Sequence, residues 1–341
     1  MTTTDPRSDT ATIDAISATG VPDAATPAAP VADLTTIIVN WNTVDLLDDC
    51  LRSVDENVPH GMTNRTIVVD NASHDGSVET LRRDWPDVEV IANEENVGFC
   101  RANNQALRVT TSPFVLLINT DARLTEGALA TMLDRLAADP RAAVVGPRLE
   151  YGDGSFQRWT AGASFSLRSL ASYFLGFDRF ADRVPALAGI YLAHDTDQAF
   201  EPGWVSSAVM LLRRDALDEI GLLDDRIFVY MDDVDLCQRA VDAGWHVWYA
   251  ADATAVHFMG ASTKRTTGKA SPEALRALNR WFVRRRGPNA GRALRLIEAA
   301  GFGARVAAHG TRSIVRRDPA GRRQAAAHLT HLKLSLERID V

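Results

Sequence analysis

The sequence predicts an α/β protein built on a doubly wound, mostly parallel sheet with helices on both faces. Short apolar, β-branched runs recur between residues 35 and 145, separated by stretches with helical spacing. The runs are continuously apolar rather than alternating, as strands covered on both faces must be. Asn, Asp and Gly gather just after the runs, where the carboxyl ends of parallel strands lie and where open α/β sheets bind ligands.

The first run, Thr35-Thr36-Ile37-Ile38-Val39, predicts a strand, and Leu46, Leu47, Cys50, Leu51 and Val54 follow at helical spacing. Residues 66–69 and 88–91 predict the second and third strands, 114–118 the fourth and 142–145 the fifth. Helices are expected between them over 77–83, 99–109 and 126–137. The alternation breaks after Gly146. Residues 151–202 show few clear periods, with one helical piece around 165–177. Residues 205–212 predict a strand, 232–243 a helix and 246–249 another strand, and beyond Ser271 the chain reads as helical and basic.

The chain has 341 residues, 46% hydrophobic and 24% charged, which fits a globular protein and excludes a collagen-like or wholly disordered one. No segment approaches the roughly 18 uncharged apolar residues that span a bilayer. Cys50, Cys100 and Cys237 are odd in number and far apart, so a disulfide framework or zinc ribbon is not expected and a reducing, cytoplasmic setting is. Residues 1–33 lack aromatic residues and are mostly Ala, Thr, Asp and Pro; with so little apolar surface to offset chain entropy they are expected to be disordered. The rest is expected to divide into a domain over 34–263, with halves 34–146 and 147–263, and a basic helical extension over 264–341. From Lys264 onward there are 18 Lys/Arg and 5 Asp/Glu, against 19 and 39 before it. Such a tail suits a polyanion, and equally a solvated Arg-rich helix face. The aromatic residues Phe165, Phe174 and Phe177 are candidates to join it on a membrane surface.

The strand tips carry the candidate chemistry. Strand one ends in Asn40-Trp41-Asn42, strand two in Asp70-Asn71-Ala72-Ser73-His74-Asp75-Gly76, and strand four in Asn119-Thr120-Asp121; strand three leads to Asn93 and Asn96-Val97-Gly98. Any one tip is explained by turns and helix caps. All of them together favour a polar ligand such as a nucleotide. No phosphate loop and no Gly-x-Gly-x-x-Gly after strand one occurs, which argues against ordinary nucleoside-triphosphate hydrolysis and nicotinamide binding. A diphosphate here would need another source of positive charge, and Asp121 is placed to hold Mg²⁺ or Mn²⁺. His257, in an expected tight loop with Gly260 and Ser262, is placed to complete that site. Asp232, Asp233 and Asp235 open a predicted helix directly after the apolar run Phe228-Val229-Tyr230-Met231. Asp232 and Asp235 share a helix face, so one of the three is expected in the site as a base while the others cap or pair.

In this order and spacing, Ile37-Ile38-Val39-Asn40-Trp41-Asn42, Val68-Val69-Asp70-Asn71-Ala72-Ser73-His74-Asp75-Gly76-Ser77, Asn96-Val97-Gly98-Phe99, Asn103-Asn104, Leu117-Ile118-Asn119-Thr120-Asp121, Asp232-Asp233-Val234-Asp235 and Val256-His257 resemble the family 2 glycosyltransferases of the GT-A fold, especially bacterial rhamnosyltransferase-like members. The resemblance runs over roughly residues 36–262. It implies that Asp70 contacts the nucleotide base, with Asn40, Asn42, Asn71 and Ser73 on the same wall. Asn96, Arg101 and Asn104 would sit near the ribose and diphosphate. Asn119-Thr120-Asp121 stands where the family has Asp-x-Asp, with Asn replacing the first carboxylate. Asp121 matches the metal-binding acid, and His257 a later metal or diphosphate ligand. Asp233 matches the general base, with Asp232 beside it, and Trp204, Ser206 and Ser207 would border the acceptor. The implied reaction is inverting, metal-assisted transfer of a sugar from a nucleotide diphosphate. Deoxythymidine diphosphate-rhamnose is the first expectation, then UDP sugars including UDP-galactofuranose. The expected acceptor is a lipid-linked or polymeric cell-envelope glycan, with no nucleic acid involved. A nucleotidyltransferase, or a non-catalytic protein that binds glycan or nucleic acid, remains open at this point. The first would usually carry a Gly-rich basic loop where Asn42-Thr43-Val44-Asp45 stands, and the second gives no reason for the dispersed carboxylates.

Overall fold

The computed structural model describes residues 32–258, 271–316 and 318–337. Most of the expected disordered tail, the loop neighbours Gly260 and Ser262, and the boundary near residue 263 lie outside the described residues. The strands are β1 (Leu34–Asn40), β2 (Asn64–Asp70), β3 (Glu89–Ala92), β4 (Phe114–Asn119), β5 (Ala122–Leu124), β6 (Ala142–Glu150), β7 (Ala161–Gly162), β8 (Trp204–Val205), β9 (Val209–Arg213) and β10 (His246–His257). The helices are α1 (Val44–Asp55), α2 (Ser77–Asp84), α3 (Phe99–Arg108), α4 (Ala128–Ala138), α5 (Leu167–Leu175), α6 (Arg214–Ile220), α7 (Asp232–Asp242), α8 (Pro272–Arg286), α9 (Pro288–Arg316) and α10 (Pro319–Leu336).

One eight-stranded sheet has the order β3-β2-β1-β4-β9-β6-β10-β5, with β7 and β8 forming a separate antiparallel pair. β1, β2, β3 and β4 pair in parallel, as do β6 and β10; β9 lies antiparallel between β4 and β6, and β5 antiparallel on β10. The carboxyl ends of β1, β2, β4, β6 and β10 therefore share one edge with the amino end of β9. Ile37, Ile67, Val69, Val115 and Leu117 face one core cluster, while Ile38, Val68, Leu116 and Ile118 face another. Two covered faces explain why these strands read as unbroken apolar runs.

Three expectations need correction. The run over 205–212 is not one strand: Ser206, Ser207 and Ala208 interrupt it, with Ser206 N–H bonded to Thr160 carbonyl at 2.9 Å. The strand expected over 246–249 runs on to His257, so that residue ends a strand rather than sitting in a tight loop. Its register on β6 shifts between Ala250 and Thr254, which breaks the alternation a reader relies on. The membrane-facing aromatic trio is mostly core: Phe165 and Phe174 are 3% and 4% exposed, and only Phe177 reaches solvent.

Helix ends are fastened by residues from neighbouring loops. Thr43 precedes α1 but does not cap it, because its hydroxyl is turned to Asn40. Asp75 from the β2 loop takes over, accepting Val44 N–H at 2.8 Å and Ser77 N–H at 3.1 Å, and so ties the starts of α1 and α2 together. The first helix of the basic extension is part of the main core. Trp281 and Phe282 of α8 are 2% and 1% exposed and share a cluster with Val205 and Leu236. Truncating such an aromatic residue costs about 3–5 kcal/mol.

Candidate active site

Sheet register brings Asn40, Asp70 and Asn119 to one edge. Asn40 stands opposite Asp70 across β1 and β2, and Val39 opposite Asn119 across β1 and β4. The buried Asn40 amide donates to Asp70 Oδ1 at 2.6 Å and to Ser73 Oγ at 3.1 Å, and its Oδ1 accepts from Thr43 Oγ1 at 2.7 Å. Ser73 N–H donates to Asp70 Oδ2 at 2.9 Å, while Asn42 N–H donates to Ser73 Oγ at 2.9 Å. His74 N–H donates to Asn42 Oδ1 at 2.8 Å. Asn71 accepts from Asn93 Nδ2 at 2.9 Å. Asn42 and Ala72 hold left-handed backbone, φ 54° and 62°, a conformation that costs energy and persists only where the surroundings enforce it.

Asn96, Arg101 and Asn104 are at the start and on one face of α3, and they act locally. Asn96 Oδ1 accepts Gly98 N–H at 3.0 Å. Arg101 Nε donates to Asp225 carbonyl at 3.0 Å. Asn104 Nδ2 donates at 2.7 Å to both Leu223 carbonyl and Asp225 Oδ1, and its Oδ1 accepts Leu223 N–H at 3.1 Å. In this arrangement Arg101 and Asn104 latch the 222–231 loop onto α3. Phe99 N–H completes the latch on Phe228 carbonyl at 2.7 Å.

Asp121 and His257 meet because β5 pairs with the end of β10, Ala122 opposite His257. His257 Nε2 lies 3.3 Å from Asp121 Oδ1, with the two side chains 14% and 9% exposed. Two ligand atoms about 2.1 Å from an octahedral ion, at right angles, lie about 3 Å apart, so the pair fits a divalent cation. Among the described residues no group of three His, Cys, Asp or Glu side chains forms a full cage. Mg²⁺ and Mn²⁺ take few protein ligands and fill their shells with water or phosphate oxygens, so two protein ligands are compatible with either ion. Gln157, which the sequence reading did not single out, bonds the far side of this imidazole: its Oε1 is 3.1 Å from His257 Nδ1.

The acidic helix start reaches the same edge through β4 and β9. Asn119 N–H bonds Ala208 carbonyl at 2.9 Å, and the adjoining Ser207 hydroxyl donates to Asp232 Oδ2 at 2.6 Å. The three carboxylates have separate fates. Burial raises the Asp232 carboxyl above its ordinary value, partly offset by the Ser207 hydroxyl. Asp233 is pushed well above the ordinary range, first by desolvation and then by the charge of Asp232; the N–H groups of Val234 and Ser207 oppose the shift. Asp235 is structural, accepting Trp281 Nε1–H at 2.8 Å and Arg239 Nε–H at 2.8 Å. Tyr230 and Met231, just ahead of the helix, have φ of 63° and 70°. The Tyr191 hydroxyl is pushed up by burial and, in smaller part, by Tyr173 and Asp233, and its ring packs edge-on against Trp159, Tyr173 and Trp204 to form an aromatic wall. Trp204 supports that wall from within rather than presenting a surface: it is 3% exposed and its indole N–H bonds Ile190 carbonyl at 2.9 Å. Ser206 remains partly exposed.

The family model "Glycosyl transferase family 2" matches residues 35–221, more than half of the chain. An N-acetylglucosaminyl-diphospho-decaprenol L-rhamnosyltransferase of Mycobacterium tuberculosis is 28% identical over 211 residues, 58% of this chain and 68% of that protein. A pre-mycofactocin glycosyltransferase of the same organism is 28% identical over 271 residues, 71% of this chain and 52% of the relative. In fold, the chain is similar to a mannosyltransferase of Pyrobaculum calidifontis solved with GDP-Man and Mn²⁺, with a TM-score of 0.54 at 18% identity over 90% of this chain and 86% of that one. Sheet, edge and family model agree: the chain belongs to glycosyl transferase family 2 and is a GT-A glycosyltransferase.

Proposed function

We propose that the protein is an inverting, metal-assisted transferase that moves a sugar, rhamnose first among the candidates, from a nucleotide diphosphate to a hydroxyl of a lipid-linked cell-envelope glycan. The observation that carries the reading is the pair of acidic sites on one sheet edge: Asp121 beside His257, and the desolvated Asp233. The rhamnosyl donor and the lipid-linked acceptor in the name of the M. tuberculosis relative support the choice of substrates. The Mn²⁺ bound by the structural neighbour supports a divalent ion.

In this reading Asp70, Asn71 and the Asn40–Ser73 network form the wall for the base. Asp121 and His257 hold the cation, which when bound stabilises the charge on the departing diphosphate. The acceptor hydroxyl is a weak nucleophile, and Asp233 takes its proton as the new C–O bond forms and the bond to the diphosphate breaks. A single base on the face opposite the leaving group inverts the anomeric carbon. The elevated proton affinity of Asp233 suits this task better than an ordinary exposed carboxylate.

The reading is tested by following release of nucleoside diphosphate from a panel of sugar nucleotides, with and without a lipid-linked acceptor. Exhaustive EDTA treatment is expected to abolish acceptor-dependent release, and Mg²⁺ or Mn²⁺ to restore it. Full activity after chelation would remove the metal from the mechanism.

The proposed location is the cytoplasmic membrane surface. No described helix is long and apolar enough to cross a membrane. Ile314 and Val315, 79% and 75% exposed, form an apolar tip near Arg312 at the end of α9, and Arg322 and Arg323 follow on α10. Basic residues at an anionic lipid surface contribute about 1 kcal/mol each.

A further inference from the structure

Gln157 makes three contacts in the metal site, and together they leave one assignment of its atoms. Its Nε2 faces two backbone carbonyls, that of Glu150 at 3.0 Å and that of His257 itself. A carbonyl only accepts, so the amide nitrogen must lie on that side. Oε1 is therefore the atom that faces His257 Nδ1 at 3.1 Å. An amide oxygen only accepts as well, so Nδ1 must carry a proton. In neutral imidazole the lone pair then sits on Nε2, the nitrogen 3.3 Å from Asp121 Oδ1.

The arrangement runs against the ring's own preference. A neutral histidine side chain in water favours the tautomer protonated at Nε2, which has no lone pair there for a metal. We propose that Gln157 is the positioning residue that sets the tautomer of His257, holding Nε2 bare toward the cation that it shares with Asp121. The inference rests on the metal reading above and deepens it. Gln157 is 1% exposed and its contacts reach the last strand residues of β6 and β10, so ring and strand ends move as one unit. Outer partners of metal-bound imidazoles commonly account for about 10–100-fold of metal affinity.

The tautomer is read by long-range ¹H–¹⁵N NMR of ¹⁵N-histidine-labelled protein in alkaline buffer, with His257→Ala used to assign the signal. The wild-type ring is expected to be protonated at Nδ1 before any metal is added. In Gln157→Met, which keeps the length but loses all three hydrogen bonds, the proton is expected to move to Nε2. Binding of Mn²⁺ alone, read from the EPR signal of the free ion, is expected to weaken by about 10–100-fold in that variant. A wild-type ring protonated at Nε2 would overturn the proposal even if the variant does not fold. So would a folded Gln157→Met protein with unchanged tautomer and Mn²⁺ affinity. An Nδ1-protonated wild-type ring together with no Mn²⁺ binding would uphold the positioning role and count against the metal reading alone.

Discussion

Neighbouring residues of one type end in different environments, and the proposed chemistry rests on that difference. Asp235 faces Trp281 and Arg239, Asp232 faces Ser207, and Asp233 has its proton affinity raised by desolvation and by the charge of Asp232. What fixes their placement is the short segment ahead of α7, and Gly98 is its mould. Gly98 has φ +88°, and a Cβ there would lie 2.6 Å from Phe228 Cδ2 and 2.9 Å from its carbonyl oxygen. Gly98→Ala is expected to lower the turnover number by ten-fold or more, with destabilisation on the order of 1–3 kcal/mol, because it displaces the loop that leads into Asp232 and Asp233. Wild-type turnover would show that Phe228 yields without moving the acids. Much of this scale was legible in the sequence. Asn40, Asp70, Asp121 and Asp233 stand at strand or helix ends, where the alternation of elements puts them. Gln157 was not, because it lies in a stretch without period and its partners are two backbone carbonyls and the ring of His257, a hundred residues on. Arg101 and Asn104 were legible as polar residues on α3, but nothing local reveals that their partners are Leu223 and Asp225, more than a hundred residues on.

Among elements, the parallel strands follow directly from the apolar runs, and β9 begins within the run over 205–212, but its antiparallel place between β4 and β6 does not follow from the runs and neither does β5. Three residues of β5 are too few to show a pattern, and their role in seating Asp121 against His257 depends on pairing with a strand far along the chain. The junction of α8 and α9 carries a pH-sensitive acid. Glu298 of α9 is fully buried, its carboxylate oxygens each 3.0 Å from Asn279 Nδ2 of α8. Burial pushes its pKa from 4.5 to about 7, with Asn279 and Arg295 opposing the shift. The folded protein thus keeps a proton that the unfolded chain releases, and stability falls as pH rises from about 4.5 to 7. The loss is on the order of 3 kcal/mol. Glu298→Gln mimics the protonated form. Thermal melts are expected to show it more stable than wild type above pH 7 and equal to it near pH 4. Parallel melting curves across that range would place the charge elsewhere.

Over the whole molecule, the basic extension divides into two roles. α8 belongs to the core through Trp281 and Phe282, so its removal is expected to disturb α7 rather than isolate a membrane function. The end of α9 and the start of α10, with Ile314 and Val315 exposed, are the part proposed to meet a surface. Vesicles containing anionic phospholipid are expected to sediment the protein at low salt, less so as salt rises, and less again for the double variant Ile314→Ser with Val315→Ser. Absence of binding at low salt would leave the Arg-rich face as a solvated one. The charge asymmetry was visible in composition, but composition cannot separate a helix packed into the core from one that projects.

The central claim is that Asp233 removes the acceptor's proton, and Asp233→Asn probes it most directly. Donor binding, measured by calorimetry with the sugar nucleotide and Mn²⁺, is expected to stay within about two- to three-fold of wild type. Transfer to acceptor is expected to fall by about 10²–10⁴-fold, the usual share of a general base. Transfer at the wild-type rate by a variant that binds donor normally would contradict the claim.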